Sequence, residues 1–159
     1  MSQDLQDRLV AIGATVATAE SLTGGRLSVH LTELPGSSQT FLGGVVSYAT
    51  AVKQEVLGVP DSVIHEHGVV SAECARAMAE GVRDLIGATY SLSTTGVAGP
   101  EDQEGKPPGK VFLAVAGPGG THVEEHAFSG DRQEVQEAAC EAALSALDGI
   151  LPREEPALG

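Results

Sequence analysis

The chain has 159 residues, 42% of them hydrophobic, which is enough for a buried core and excludes a disordered composition. Only 3% are aromatic and none is tryptophan, so that core is expected to be built from Ala, Val, Leu and Ile. The formal net charge of −13 argues against nucleic acid and anionic membranes as partners and leaves a small molecule held by a local site.

Leu5, Leu9 and Ile12 share a helical face that Gly13 stops. A short β-prone run covers 15–19, and residues 22–33 read as a helix closed by Pro35-Gly36. Residues 42–48 read as a buried strand. Thr50 and Asp61 are each placed to cap a short helix. The clearest helix spans 71–86, with Ala75, Met78, Ala79, Val82, Leu85 and Ile86 on its apolar stripe. Glu73, Arg76, Glu80 and Arg83 lie across from it, spaced for ion pairs. Strands follow over 89–94 and 110–116. The turn Gly117-Pro118-Gly119-Gly120 leads into another at 121–128. Asp131 and Glu134 form a capping-box pattern for the last helix, which Pro152 ends, and residues 152–159 read as a loose tail.

Strands alternate with helices, and the last two strands are adjacent. The expected fold is α/β, a three-layer α/β/α sandwich with a mixed, mainly parallel sheet, in one domain over 1–159. The start of the chain carries Asp4, Asp7 and Arg8, which does not suit a signal peptide, and no apolar run reaches transmembrane length. Cys74 and Cys140 form no metal-ligand or redox pair, so they read as buried thiols in a reducing compartment. The expected location is the cytoplasm, with no metal.

Two glycine-bearing segments follow predicted strands: Glu20-Ser21-Leu22-Thr23-Gly24-Gly25 and Thr94-Thr95-Gly96-Val97-Ala98-Gly99-Pro100. If those strands are parallel, both segments lie at the carboxyl edge of the sheet, where open α/β folds bind ligands. Backbone N–H groups at the head of the following helix would then face an anion. Neither segment has P-loop or dinucleotide-fingerprint spacing. A hydroxyl nucleophile needs a base. None of His30, His65, His67, His122 and His126 lies in a glycine segment. Lys53, in the first turn of a short helix, opposes the helix dipole; it reads either as an ordinary surface lysine, which its spacing alone favours, or, partly desolvated, as a base acting directly or through Tyr48. Arg132 reads either as a surface arginine beside a cap or as a fork for a phosphate or carboxylate. Residues 101–108 read as an exposed loop beside a site.

Four separated motifs occur in one order: Ala19-Glu20-Ser21-Leu22-Thr23-Gly24-Gly25, Gly44-Val45-Val46-Ser47-Tyr48, Lys53 with Val56-Leu57-Gly58-Val59, and Thr95-Gly96-Val97-Ala98-Gly99-Pro100. In these the sequence resembles the carboxy-terminal domain of the CinA (competence/damage-inducible) proteins, also known as the nicotinamide mononucleotide deamidase family. The similarity runs from about Leu5 to Ile150.

The resemblance implies an α/β/α sandwich that hydrolyses the carboxamide of nicotinamide mononucleotide, in pyridine nucleotide recycling. It implies no metal or organic cofactor, and a homo-oligomer, most often a dimer. Ser21 matches the family's proposed catalytic serine, Tyr48 and Lys53 its proposed base partners, and Arg132 a basic position expected to meet substrate. Thr95 lies in the matching second loop; its hydroxyl, or the backbone N–H groups of the first glycine segment, are the expected oxyanion donors. Glu20, Thr23, Gly24, Gly25, Gly96 and Gly99 are the accompanying substrate-binding positions. Many members carry a further amino-terminal domain, so this sequence is expected to resemble the standalone form. A non-catalytic nucleotide-binding or regulatory module using the same glycine loops is the alternative.

Overall fold

The computed structural model describes residues 1–153. In chain order the elements are α1 (Gln3–Ala11), β1 (Val16–Glu20), α2 (Arg26–Thr32), a short 3-10 turn (Ser37–Gln39), β2 (Phe41–Val46), α3 (Thr50–Glu55), α4 (Asp61–His67), α5 (Ala72–Ile86), β3 (Tyr90–Gly96), β4 (Lys110–Gly117), β5 (Gly120–Ala127) and α6 (Arg132–Ile150). The sheet order is β2-β1-β3-β4-β5. β1 runs parallel to β2 and β3, whereas β3-β4 and β4-β5 are antiparallel. The sheet is mixed, as expected, but its parallel part is confined to the three strands around β1 and does not predominate.

Strand alternation sorts side chains between two helical layers. Val16, Tyr90, Leu92, Leu113 and Val115 pack with Leu5, Leu9, Leu27, Leu31, Cys140 and Leu147, which seats α1, α2 and α6 on one face. Ala17, Ala19, Ala114 and Ala116 pack with Cys74, Ala75, Met78, Ala79 and Val82, which seats α5 on the other. Small residues on this second face let α5 approach closely. The hydroxyls of Ser91 and Ser93 then donate to the Ala79 and Ala75 carbonyls at 2.5 and 2.6 Å. The three-layer sandwich follows from this division of the core.

Several local expectations are corrected. The helix expected over 22–33 begins only at Arg26, because Gly24 (φ +58°) and Gly25 (φ +105°) turn the chain through left-handed conformations first. The strand expected to be buried over 42–48 is the edge strand β2. It ends at Val46 and leaves Leu42 and Val46 exposed. Ala49 and Pro60, not Thr50 and Asp61, occupy the caps of α3 and α4. Leu85 is exposed at the far end of the α5 stripe. Arg76 pairs with Glu80, but Arg83 donates to the Thr89 carbonyl and not to a carboxylate. The Asp131–Glu134 capping box forms as expected. Of the tail, Pro152 and Arg153 are exposed, and 154–159 lie outside the described residues. Among the described residues no helix is long and apolar enough to cross a membrane.

Candidate active site

The parallel register of β1 and β3 pairs Glu20 with Thr94, so the segments that follow these strands leave the sheet side by side. Ser21 is the first residue beyond β1. Its N–H donates to the Thr94 carbonyl at 3.0 Å, and its own carbonyl accepts from Gly24 N–H at 3.0 Å. The ladder bond and the turn together fix the serine at the carboxyl edge.

Glu20 shares the face of Val16 and Thr18 and is fully buried against the head of α2. One carboxylate oxygen accepts from the Thr23 hydroxyl (2.7 Å), Gly25 N–H (3.2 Å) and Leu27 N–H (2.8 Å). The other accepts from Ser28 N–H (3.0 Å) and the Ser28 hydroxyl (2.6 Å). The anion expected at this helix head is therefore the protein's own. Thr23 is also tied to the Thr94 hydroxyl at 2.8 Å. Glu20, Thr23, Gly24 and Gly25 consequently build the floor beneath Ser21, and none of the four lines the cavity above it.

That cavity, about 450 Å³, brings together Ser21, Tyr48, Lys53, Thr95, Gly96, Gly99 and Arg132 from five separate stretches of chain. Lys53 is carried by α3 and is only 1% exposed. Its Nζ lies 2.9 Å from Ser21 Oγ, 2.5 Å from the Ser47 carbonyl and 3.2 Å from the Tyr48 carbonyl. Burial pushes the amine below the ordinary lysine range, against the opposing influence of Cys74 and Glu104. Desolvation is what disfavours its charge; Lys53 falls in the last turn of the six-residue α3, not the first, so the expected opposition of the helix dipole is absent. The amine donates to the serine oxygen in this arrangement, and on losing a proton it can turn a lone pair to the serine hydroxyl.

Tyr48 and Thr95 stand differently from expectation. The Tyr48 side chain is 61% exposed, and its phenol accepts from Arg132 Nη2 at 2.9 Å. It is the Tyr48 carbonyl, not the phenol, that meets Lys53. The Thr95 hydroxyl follows Ser91 and Ser93 on the α5 face and donates to the Val69 carbonyl at 2.7 Å. Its proton is committed there, so it is not the free oxyanion donor expected from its position. Arg132 opens α6 and donates through Nη1 to the Gly99 carbonyl at 2.6 Å, which ties the second glycine segment to the last helix.

The 101–108 loop contributes residues the sequence reading did not name. Glu101, Asp102 and Gln103 line the cavity, and the Glu104 carboxylate accepts from the N–H groups of Val69 and Val70. The only signal for them was the polar loop after Pro100. Among the described residues no histidine lines the cavity, and no group of three His, Cys, Asp or Glu side chains is disposed to hold a metal ion.

The family model of the CinA C-terminal domain matches residues 1–151. The chain belongs to that family. A CinA-like protein of Frankia casuarinae is 48% identical over 143 residues, covering 90% of this chain and 33% of its own length. A CinA-like protein of Geobacter sp. is 44% identical over 154 residues, covering 94% of this chain and 37% of its own length. The chain thus spans about a third of the length of these curated relatives. Crystal structures agree with the fold. The competence or damage-inducible protein from Enterobacter asburiae superposes with a TM-score of 0.92 at 33% identity, covering 94% of this chain and 95% of that one. The CinA superfamily protein from Enterobacter cloacae gives 0.91 at 34% identity, covering 94% and 89%. In this CinA-family domain, Ser21, Lys53 and Arg132 thus converge on one cavity of the shared sandwich.

Proposed function

We propose that this chain is an amidohydrolase that converts nicotinamide mononucleotide to nicotinate mononucleotide and ammonia. The observation that carries the reading is the buried Lys53 amine 2.9 Å from the Ser21 hydroxyl. A serine beside a desolvated lysine is a nucleophile with its base, and no histidine is required. The family resemblance supplies the substrate.

Ser21 Oγ attacks the carboxamide carbon while neutral Lys53 takes the hydroxyl proton. The tetrahedral oxyanion needs preorganised donors. With the Thr95 proton committed to Val69, the backbone N–H of Leu22, which borders the cavity and donates to no group among the described residues, remains for it. Collapse of the intermediate breaks the C–N bond. The Lys53 ammonium returns its proton to the departing nitrogen, and ammonia leaves a Ser21 ester. Water then attacks the ester carbon and gives one proton to Lys53, which passes it to Ser21 as the ester C–O bond breaks; the carboxylic acid so released loses its remaining proton to solvent and leaves as the carboxylate. The substrate phosphate falls to Arg132. A guanidinium offers five N–H donors, of which the contacts to Gly99 and Tyr48 use two. The net charge of −13 supports a small-molecule substrate over nucleic acid.

A coupled ammonia assay with nicotinamide mononucleotide, nicotinamide and NAD tests this reading. Release from the mononucleotide, with much less from free nicotinamide, is the expected result. Tight mononucleotide binding without ammonia would replace the enzyme by a binding module.

A further inference from the structure

Glu104 stands out among the loop residues. It is the single non-glycine residue with positive φ (+53°) among those described. That conformation is unfavourable for a residue with a side chain, and such strain persists only where its surroundings hold it. Here the holder is visible. The Glu104 carboxylate accepts from Val70 N–H at 2.8 Å and from Val69 N–H at 3.1 Å. It sits against the bare backbone of Gly68, where a Cβ would come within 2.5 Å of it. The seat leads directly into the cavity wall. Val69 lines the cavity and its carbonyl receives the Thr95 hydroxyl.

The negative charge of the same carboxylate favours the charged form of Lys53, against the burial that disfavours it. The polar groups at that amine are few. Ser21 presents a hydroxyl, Ser47 and Tyr48 present carbonyls, and α5 presents the Cys74 thiol. Burial raises that thiol to about 11, so it is neutral at ordinary pH. Glu101, Asp102 and Arg132 also border the cavity.

We propose that Glu104 is a positioning residue of this site: it seats the 97–109 loop as a cavity wall and supplies the fixed negative charge that acts on the Lys53 amine. This rests on Lys53 serving as the base. The carboxylate opposes the desolvation of Lys53, and so keeps the amine basic enough to take the serine proton.

The chain has three lysines, Lys53, Lys106 and Lys110, so protein labelled with carbon-13 at the lysine ε-carbon gives three signals to follow by NMR. The Lys53 signal is assigned by its loss in Lys53→Met. In Glu104→Gln, which keeps an acceptor oxygen, the Lys53 titration midpoint is expected to move down, and Glu104→Asp is expected to restore most of it. An unmoved midpoint in Glu104→Gln overturns the electrostatic half of the proposal. Hydrogen exchange at Val69 and Val70 tests the seat. Faster exchange in Glu104→Ala, with a several-fold rise in KM for nicotinamide mononucleotide, supports it, and unchanged exchange overturns it. If the wild-type chain releases no ammonia, the proposed reaction fails, while the titration and exchange results still decide the role of Glu104.

Discussion

Lys53 Nζ and Ser21 Oγ lie 2.9 Å apart, with the amine held from behind by the carbonyls of Ser47 and Tyr48. Those two residues follow β2 and Ser21 follows β1, so the pairing of β1 with β2 sets the distance between acid and base. Lys53→Met is expected to lower kcat by about 10²–10⁴-fold, the usual contribution of a positioned base. Lys53→Arg is expected to do the same, because a guanidinium stays protonated. In the wild type, kcat/KM should rise with pH through the Lys53 titration, with a limb below the ordinary lysine value of 10.5. A pH-independent rate that survives Lys53→Met would remove the base from the account.

Arg132 and Tyr48 separate binding from proton transfer. Arg132→Gln is expected to raise KM by about 10–100-fold, the scale of losing a hydrogen bond to a charged group. Tyr48→Phe leaves the Lys53–Ser21 pair intact and is expected to change kcat only a few-fold. A loss near 10²-fold or more would instead give the proton to the phenol. Steady-state kinetics of the two variants distinguishes these outcomes.

Glu20 is a stability residue by its contacts. Removing its side chain in Glu20→Ala strands the N–H groups of Gly25, Leu27 and Ser28 at the head of α2. Urea denaturation should show a loss of about 2–4 kcal/mol, since each buried donor left unpaired costs about 1–3 kcal/mol and some will find water. Glu20→Gln should also destabilise, because its amide turns a donor toward existing donors. A variant as stable as the parent would mean that Glu20 is not the cap of α2.

The Cys140 thiol, on the buried face of α6, is raised from 9.0 to about 12, by burial first and then by Glu20 and Glu137. Above pH 9 the unfolded chain loses this proton while the native chain keeps it. Stability therefore falls as pH rises from 9 toward 12. Cys140→Ala should flatten the decline of Tm over that window, at the cost of a lower Tm at neutral pH from the lost packing. An equally steep decline in the variant would exclude this thiol as its source.

Local periodicity made much of this fold legible. The stripe of α5 and the Asp131–Glu134 box of α6 depend on neighbours a few residues away; the box stands as read, and the stripe does so from Ala75 to Val82. Ser21 and Lys53 were legible as residue types at a strand end and in a short helix. Glu20 and Thr95 were misassigned although the signal was present. Alternation along β1 puts Glu20 with Val16 and Thr18, beneath α2, and alternation along β3 puts Thr95 with Ser91 and Ser93, toward α5. The exposure of Leu42 and Val46 was not legible, because it depends on β2 being an edge strand, a property of the whole sheet order. Glu104 was hidden for the same kind of reason: its partners Val69 and Val70 lie 35 and 34 residues away.

The central claim is that Ser21, activated by Lys53, opens the carboxamide. Its most direct test is the initial rate of ammonia release from nicotinamide mononucleotide by the wild-type chain and by Ser21→Ala, measured side by side on folded protein. The account predicts release by the wild type and a fall of about 10³-fold or more in the variant, the scale of losing a catalytic nucleophile. Near-equal rates in the two proteins would contradict it.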